Sequence, residues 1–213
     1  MEAKIYVEGI NDLVFLGTYL QTVMGFQGDN NPKGRIHLFK KEGRTVQLLE
    51  LGGYSNLNTT TIKEDIEDDL EDGIKSLVIL DTDTIYNDGG FSVRTAAVDT
   101  IKVTVPFEYF LIPNAQDDGY LETLLGNILV EEYQASLQCF RDQDQCLKQT
   151  NSNLLTGKKL KVTPEKAADK AALNSFMRRL ENKGKDKFKD QTIWNLHHPY
   201  LDPLKTFLEK HLL

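Results

Sequence analysis

The feature that most constrains the fold is the continuous apolar run SLVIL at residues 76–80, which ends in Asp81-Thr82-Asp83. A short run of Val, Ile and Leu is typical of a strand that is buried on both faces. Such strands occur mainly in parallel sheets covered by helices on each side. We therefore predict that residues 76–80 form the central strand of an α/β fold.

Strands and helices are predicted to alternate along the first 130 residues. Residue patterns indicate strands at 4–8, 35–40, 46–51 and 107–112, and helices at about 12–25, 62–74 and 119–146. Residues 91–104 fit a helix, or a helix followed by a strand. The alternation favours a Rossmann-like, mostly parallel and doubly wound sheet with helices on both faces.

The last third of the chain is predicted to be mainly helical. Helices are expected at residues 165–181 and within 192–213, and exposed loops at 148–164 and 182–190. We therefore divide the chain into an α/β domain over residues 1–130 and a helical C-terminal extension over residues 131–213 that packs on the same domain.

Composition narrows the class of protein. Of the 213 residues, 40% are hydrophobic and 27% are charged, as in ordinary globular proteins. No apolar run approaches the roughly 18–20 residues that span a bilayer, and the chain begins without the apolar core of a signal peptide. The sequence thus predicts a cytoplasmic protein that does not enter membranes. Cys139 and Cys146 lack zinc-site spacing and are too few for a disulfide framework.

The net charge of −7 conceals an uneven distribution. Residues 1–149 carry 12 Lys and Arg against 25 Asp and Glu, whereas residues 150–213 carry 13 against 7. An acidic body can host divalent cations and a basic segment can contact phosphates, although most charge runs are solvated surface. Nucleic acid is therefore a predicted partner, and a protein partner is an alternative.

Three carboxylates are predicted to gather at the carboxyl ends of parallel strands. Glu8 ends the first strand, and Asp81 and Asp83 follow the central one. Because alternate residues of an extended chain point the same way, both aspartates can face Glu8. Neither motif contains Lys or Arg, so the simplest neutralising partner is Mg²⁺ or Mn²⁺. The alternative is that Asp81 only ends a strand and Asp83 begins a turn.

Together the two motifs resemble the TOPRIM domain of topoisomerases, bacterial primases, OLD-family nucleases and small stand-alone bacterial proteins. VEGIND at residues 7–12 and LVILDTD at residues 77–83 carry the resemblance, which covers residues 3–130. It implies a compact Rossmann-like fold in which Glu8 is a general acid/base or metal ligand, and Asp81 and Asp83 hold Mg²⁺. Gly9 would let the backbone pass close to the phosphate. Many members have a glycine soon after the second aspartate, whereas here the first is Gly89.

Further candidates lie outside these motifs. Glu122 belongs to PNAQDDGYLE at residues 113–122, which resembles the small stand-alone TOPRIM-like proteins. It is either a ligand of a second metal ion or an acid favoured at a helix N-terminus. The phosphate-binding candidates, besides Gly9, are cations in two places. Lys40, Lys41 and Arg44 come after the second predicted strand, and Lys158, Lys159 and Lys161 lie in the later predicted loop.

The leading hypothesis is a Mg²⁺-dependent enzyme that cleaves phosphodiesters, most simply a nuclease, with Glu8, Asp81 and Asp83 as catalytic residues. One alternative is a TOPRIM-like module that binds metal, nucleotide or a partner protein without turnover. Another is a haloacid-dehalogenase-like phosphatase, because DTDT at residues 81–84 resembles its D-x-D-x-T motif and Asp117-Asp118 its later acid pair. Phosphate-binding glycine loops and a G-x-S-x-G elbow do not occur in the sequence.

Overall fold

The computed structural model describes residues 2–28, 36–85, 89–153, 165–180 and 188–213. Its centre is a mixed sheet of six strands, which are β1 (Ala3–Val7), β2 (Gln27–Gly28), β3 (Ile36–Lys41), β4 (Arg44–Glu50), β5 (Lys75–Asp81) and β6 (Glu108–Ile112). Their spatial order is β2-β3-β4-β1-β5-β6. Strands β4, β1, β5 and β6 run parallel, whereas β3 pairs antiparallel with β4 and with β2.

Seven α-helices occur in the described residues. They are α1 (Ile10–Thr22), α2 (Thr60–Glu71), α3 (Phe91–Lys102), α4 (Leu121–Ile128), α5 (Glu131–Asn153), α6 (Glu165–Arg179) and α7 (Asp202–Leu212). The prediction of an α/β fold with mostly parallel strands is confirmed, and β2 and β3 add an antiparallel edge to it. In the same described parts of the chain, no helix is both long and apolar enough to cross a bilayer.

The sheet buries an apolar cluster on each face. Leu77 and Ile79 of β5 point to the face covered by α1, α4 and the C-terminal helices. Val78 and Leu80 point to the opposite face, against α2 and α3. All four side chains are at most 2% exposed, so the prediction of a strand buried on both faces is confirmed.

The C-terminal segments contribute to the first of these clusters. Trp194 is fully buried and its backbone pairs with Leu129 just after α4. Side chains of α6 and α7, such as Phe176 and Leu208, belong to the same cluster as β1. The domain boundary at residue 130 stays a prediction, because this core joins residues from both sides of it.

One loop prediction is wrong in part. Residues 148–153 form the last turns of α5 rather than a loop, since a helix that faces solvent can be polar along most of its surface. Residues 154–164, and with them Lys158, Lys159 and Lys161, lie outside the described residues. The same holds for residues 182–187 of the second predicted loop, whose last residues form a turn.

The strand order determines where a site can form. Strand β1 lies between β4, which follows α1 in the chain, and β5, which follows α2. The connections leaving β1 and β5 therefore diverge to opposite sides of the sheet, and an open crevice is expected beyond the carboxyl ends of these two strands. Glu8 and Asp81 occupy that position.

Candidate functional site

Five carboxylates surround this crevice, and we call them the rim cluster. Glu8 and Asp12 come from the junction of β1 and α1, Asp81 and Asp83 from the end of β5, and Glu122 from the first turn of α4. Asp81 feels the negative charge of each of the other four carboxylates. The three acids predicted from the motifs thus lie in one electrostatic neighbourhood, joined by Asp12 and Glu122.

Glu8 is half-buried and held by backbone groups. Its carboxylate accepts a long hydrogen bond of 3.4 Å from the amide of Asp81, and its carbonyl accepts from the amides of Gly52 and Gly53. Burial raises the pKa of the Glu8 carboxyl, and the negative charge of Asp83 raises it further. The positive charge of Arg94 acts in the opposite direction.

Asp12 is a buried acid that the motifs did not identify as part of the site. It stands in the first turn of α1, where its Oδ2 accepts a hydrogen bond of 3.0 Å from the amide of Gly9, the residue that caps the helix. The residue is only 8% exposed, and its Oδ1 receives no hydrogen bond from any described residue. Burial, together with the charge of Glu8, raises the pKa of this carboxyl to about 7.

Asp81 bridges β5 and α4. Its Oδ1 accepts a hydrogen bond of 3.0 Å from the amide of Leu121, the first residue of that helix. Burial raises the pKa of the Asp81 carboxyl well above its usual range, and the charges of Asp12, Glu8 and Glu122 add to the effect. Repulsion within the rim cluster therefore converges on this residue.

Asp83 is turned toward a cation that the motifs do not contain. Its Oδ2 accepts a hydrogen bond of 2.5 Å from Nη2 of Arg94, which lies in the first turn of α3. The guanidinium of Arg94 stacks on the ring of Tyr54, 3.8 Å from its centroid, and the side chain is 10% exposed. The two motifs contain no Lys or Arg, as noted from the sequence, but in the folded protein Arg94 supplies a positive charge to Asp83.

Gly89, the first glycine after Asp83, packs closely on the end of β5. A Cβ at this position would lie 2.6 Å from the Cβ of Asp83 and 2.7 Å from the carbonyl of Thr82, which is closer than side chains approach. The backbone at Asp83 itself is left-handed, with φ of 58°. The glycine after the motif is thus distant in sequence yet packs directly on the second aspartate.

The remaining acids near the rim are already engaged. Glu122 is 5% exposed, and its carboxylate lies 3.8 Å from Nζ of Lys170 on α6. Asp118 accepts a hydrogen bond of 2.6 Å from the amide of Phe91 at the start of α3. Asp117 accepts one of 2.7 Å from the side chain of Asn114. Asp117 and Asp118 therefore support loop structure.

The donor set fits a hard divalent cation by residue type. Carboxylate oxygens are the ligands that Mg²⁺ and Mn²⁺ prefer, and the unpaired Oδ1 of Asp12 is an acceptor without a donor. Among the described residues, however, no three His, Cys, Asp or Glu side chains are arranged to hold a metal ion together. The contact between Asp83 and Arg94 accounts for part of this arrangement, because it turns one predicted ligand toward a guanidinium.

Lys40, Lys41 and Arg44 lie at the opposite edge of the sheet. Residue 46 of β4 pairs with Ala3 at the start of β1, whereas Glu8 follows the end of β1. At about 3.3 Å per residue, Arg44 is therefore roughly 20 Å from the rim cluster along the strand direction. The three cations line a cavity of about 570 Å³ beside Gly25 and Gln27, and the structure does not bring them together with the carboxylates.

Two functional candidates escaped the sequence patterns, Arg94 and Asp12. Arg94 lies 11 residues after Asp83, and its position in the first turn of the helix that follows β5 is a usable signal, because such a turn starts at the rim. Asp12 is recognisable in the sequence as a residue near a helix N-terminus, where acids are common. Its burial beside Glu8 depends on how α1 packs.

The fold and the rim cluster together define a class, an α/β protein with an acidic crevice at the carboxyl ends of its parallel strands. Within that class, residues 2–213 match the family of proteins of unknown function designated DUF3226, and the chain belongs to that family. No curated protein matches the chain.

A similarity to a solved structure supports the fold. The hypothetical protein PH0156 from Pyrococcus horikoshii OT3 is 13% identical, matches with a TM-score of 0.52, and the match covers 100% of both chains. The cytosolic domain of the T. maritima FeoB iron transporter in its GMPPNP form is 11% identical over 99% of both chains, with a TM-score of 0.21. At these identities the first likeness bears on the fold alone.

Proposed function

We propose that the rim cluster is the active site of a TOPRIM-like, Mg²⁺- or Mn²⁺-dependent enzyme that cleaves phosphodiester bonds of nucleic acid in the cytoplasm. The observation that carries the proposal is the buried Oδ1 of Asp12, an acceptor without a described donor among five carboxylates. A site of this charge is completed most simply by a divalent cation.

The arrangement of the strands supports the TOPRIM-like part of the proposal. Parallel strands β4, β1, β5 and β6 are connected through helices, and the two motif strands β1 and β5 are neighbours in the sheet. Glu8 and Asp81 consequently follow adjacent strand ends. This is the order in which the resemblance expects the acid of the first strand and the paired aspartates of a central strand.

Each residue then has a chemical role. Asp81 and Glu8 would hold the cation, with Asp12 beside them, while Asp83 would join once it leaves Arg94 and Glu122 would serve a second ion. When bound, such a cation polarises the phosphate and lowers the pKa of bound water. Glu8 is partly exposed at the end of β1, so its carboxylate could accept the proton of the attacking water and later release it.

A non-catalytic module that binds metal, nucleotide or a partner protein is the second candidate. The ion pair between Asp83 and Arg94 favours it, because a predicted metal ligand is occupied by a protein cation. The phosphatase alternative has less support, since Asp118 binds the start of α3 and Asp117 binds Asn114.

The test begins with titration calorimetry of the metal-free protein. We expect the wild type to bind Mg²⁺ and Mn²⁺, and Asp81→Asn to lose this binding. The matched control is Asp72→Asn, which removes the same charge at an exposed position after α2 and is expected to bind like the wild type. Absence of binding by the wild type would contradict the proposal.

The second stage separates enzyme from module. Wild-type protein with Mg²⁺ or Mn²⁺ is incubated with single-stranded DNA, duplex DNA and RNA, and we expect cleavage that is lost in both Glu8→Gln and Asp81→Asn. Cleavage that survives in these variants indicates a contaminating nuclease. Metal binding without cleavage of any of the three substrates supports the module instead.

A further inference from the structure

Arg94, beside the rim cluster, has hydrogen-bond donors that its present contacts leave unused. One nitrogen of its guanidinium donates to Asp83, and the plane stacks on Tyr54. The Arg94 side chain is nine-tenths buried, and its Nε donates to no described residue. Water therefore has little access to this donor. A guanidinium carries five donors in a fixed fork that suits carboxylate and phosphate oxygens. The fork therefore retains unused donor capacity at the edge of the rim cluster.

The same geometry sets up a competition. Asp83 accepts from Arg94, yet Asp83 also adds its negative charge to Glu8 and Asp81, on the side where a cation would bind. A divalent cation that claimed Asp83 would displace the guanidinium from its partner. Stacking on Tyr54 would keep the released group close to the site, because it does not depend on Asp83.

Resting on the proposed function, we propose that Arg94 is the phosphate-binding residue of the site, held by Asp83 until a divalent cation binds the rim cluster and then free to donate to a phosphate oxygen. The ligand class is the phosphate anion of an ester or diester. Arg94 thereby takes the role that the sequence pattern assigned to lysines and arginines elsewhere in the chain.

A purely structural salt bridge makes a different prediction. If Arg94 only fastens α3 to the end of β5, then removing it should loosen Asp83 and leave cation binding unchanged or weaker. If Arg94 competes with the cation, its removal should strengthen cation binding and weaken phosphate binding. The two measurements then move in opposite directions. Because loss of the positive charge alone would have the same effect, Arg94→Lys, which keeps the charge without the fork, separates direct phosphate binding from an electrostatic effect.

The first measurement is the dissociation constant of Mg²⁺ alone, by calorimetry without substrate. We expect Arg94→Met, which keeps the length of the side chain on Tyr54, to bind Mg²⁺ about threefold to tenfold more tightly, as loss of one nearby positive charge implies. Arg94→Lys keeps the charge and should stay close to the wild type. The control is Arg44→Met. Because Arg44 lies at the end of the sheet away from the rim cluster, this variant should also leave the dissociation constant unchanged.

The second measurement is the binding of inorganic phosphate at saturating Mg²⁺, followed by ³¹P NMR. We expect Arg94→Met to weaken phosphate binding by about tenfold or more, the effect of losing a charge-assisted hydrogen bond. Arg94→Lys should lose less, because an ammonium keeps the charge without the fork. Arg44→Met should again match the wild type.

The outcomes distinguish this inference from the proposed function. If the wild type binds Mg²⁺ and loses it in Asp81→Asn, but Arg94→Met binds Mg²⁺ no more tightly or phosphate no more weakly, Arg94 is structural and the inference alone is overturned. If the wild type binds no Mg²⁺, the proposed function is overturned and this inference with it. Should Arg94→Met fail to fold, the loss of phosphate affinity in Arg94→Lys decides between the two roles.

Discussion

Two groups of acids lie along the same strand, and they are balanced differently. Near the start of β1, Lys4 contacts Asp65 at 2.8 Å and Asp69 at 2.6 Å, and hydroxyl groups of Tyr6 and Ser76 donate to the same aspartates. We call these five residues the Lys4 cluster. Just past the end of β1 lies the rim cluster, in which five carboxylates share Arg94 and a distant Lys170.

The contrast appears in the protonation of the two groups. In the Lys4 cluster, burial alone would raise the pKa of Asp65, but hydrogen bonds from Lys4 and Tyr6 outweigh it and the pKa is lowered. In the rim cluster, burial and like charges raise the pKa of Asp12 and Asp81. Paired acids stabilise a fold, whereas acids without partners destabilise it and are retained most readily where a ligand completes them.

The largest expected effect tests the structural role of the Lys4 cluster. Asp69→Ala leaves the hydroxyl of Ser76 without its acceptor and removes one of the two carboxylates that hold Lys4, at a position where Asp69 is 2% exposed. We expect the free energy of unfolding in urea to fall by about 2–3 kcal/mol, because a buried donor loses its partner while Lys4 keeps Asp65. A loss below about 1 kcal/mol would mean that Asp69 stabilises the fold no more than the acids of the rim cluster do. The proposed difference between the two clusters would then be wrong.

The pH dependence of stability should reveal the rim cluster. Because the folded pKa of Asp12, about 7, lies above its unfolded value of 3.8, the folded protein takes up a proton between these values that the unfolded chain does not. Stability should therefore rise as pH falls from 8 to 5, by at most about 1.4 kcal/mol per pH unit for each proton. Asp65, with its lowered pKa, contributes stability that is lost only at lower pH, as the pH falls from its unfolded value through its folded value.

Asp12→Asn provides the test of that assignment. The amide keeps an oxygen that can accept from Gly9 but cannot ionise, so we expect this variant to exceed the wild type at pH 8 by on the order of 1–3 kcal/mol, by less at pH 5, and to match it only below the unfolded pKa of 3.8. Urea unfolding at both pH values measures the difference, and Asp72→Asn serves as the control. An unchanged slope in Asp12→Asn would assign the pH dependence to other groups.

A pair of isosteric changes should give effects of opposite sign. In the presence of a chelator at pH 8, Asp81→Asn removes a repelled charge and keeps an acceptor for the amide of Leu121. We expect a gain of about 1 kcal/mol. Asp65→Asn removes the charge opposite Lys4, and because its side chain is 37% exposed we expect a screened loss of about 1 kcal/mol. Equal signs for the two variants would contradict the division into balanced and unbalanced acids.

Local patterns were sufficient for the strands but not for the charges. The apolar run of β5 predicted a doubly buried strand because the information lies in consecutive residues. Lys40 and Lys41 end the predicted strand β3 and Arg44 begins β4. Because β3 runs antiparallel to β4, all three lie at the end of the sheet away from the rim cluster. Strand direction depends on pairing with distant residues, and a local pattern does not contain it.

The site shows the same division. Glu8, Asp81 and Asp83 could be found because each follows a strand directly. Arg94 reaches Asp83 because α3 begins at the rim, where Gly89 packs against the aspartate. The charge balance of the rim cluster is therefore a property of the tertiary structure, whereas three of its five carboxylates are visible in the motifs.

The smallest expected effect concerns Lys170, the second cation near the rim. Its ammonium lies 3.8 Å from Glu122 and is 59% exposed, so water already screens the interaction. We expect Lys170→Ala to change the free energy of unfolding by less than about 0.5 kcal/mol. Lys205→Ala is the matched control, because Lys205 lies at the same 3.8 Å from Glu209 and is 47% exposed. If Lys170→Ala costs more than about 1 kcal/mol while Lys205→Ala does not, the rim cluster has a second effective counterion and needs no cation from outside the chain.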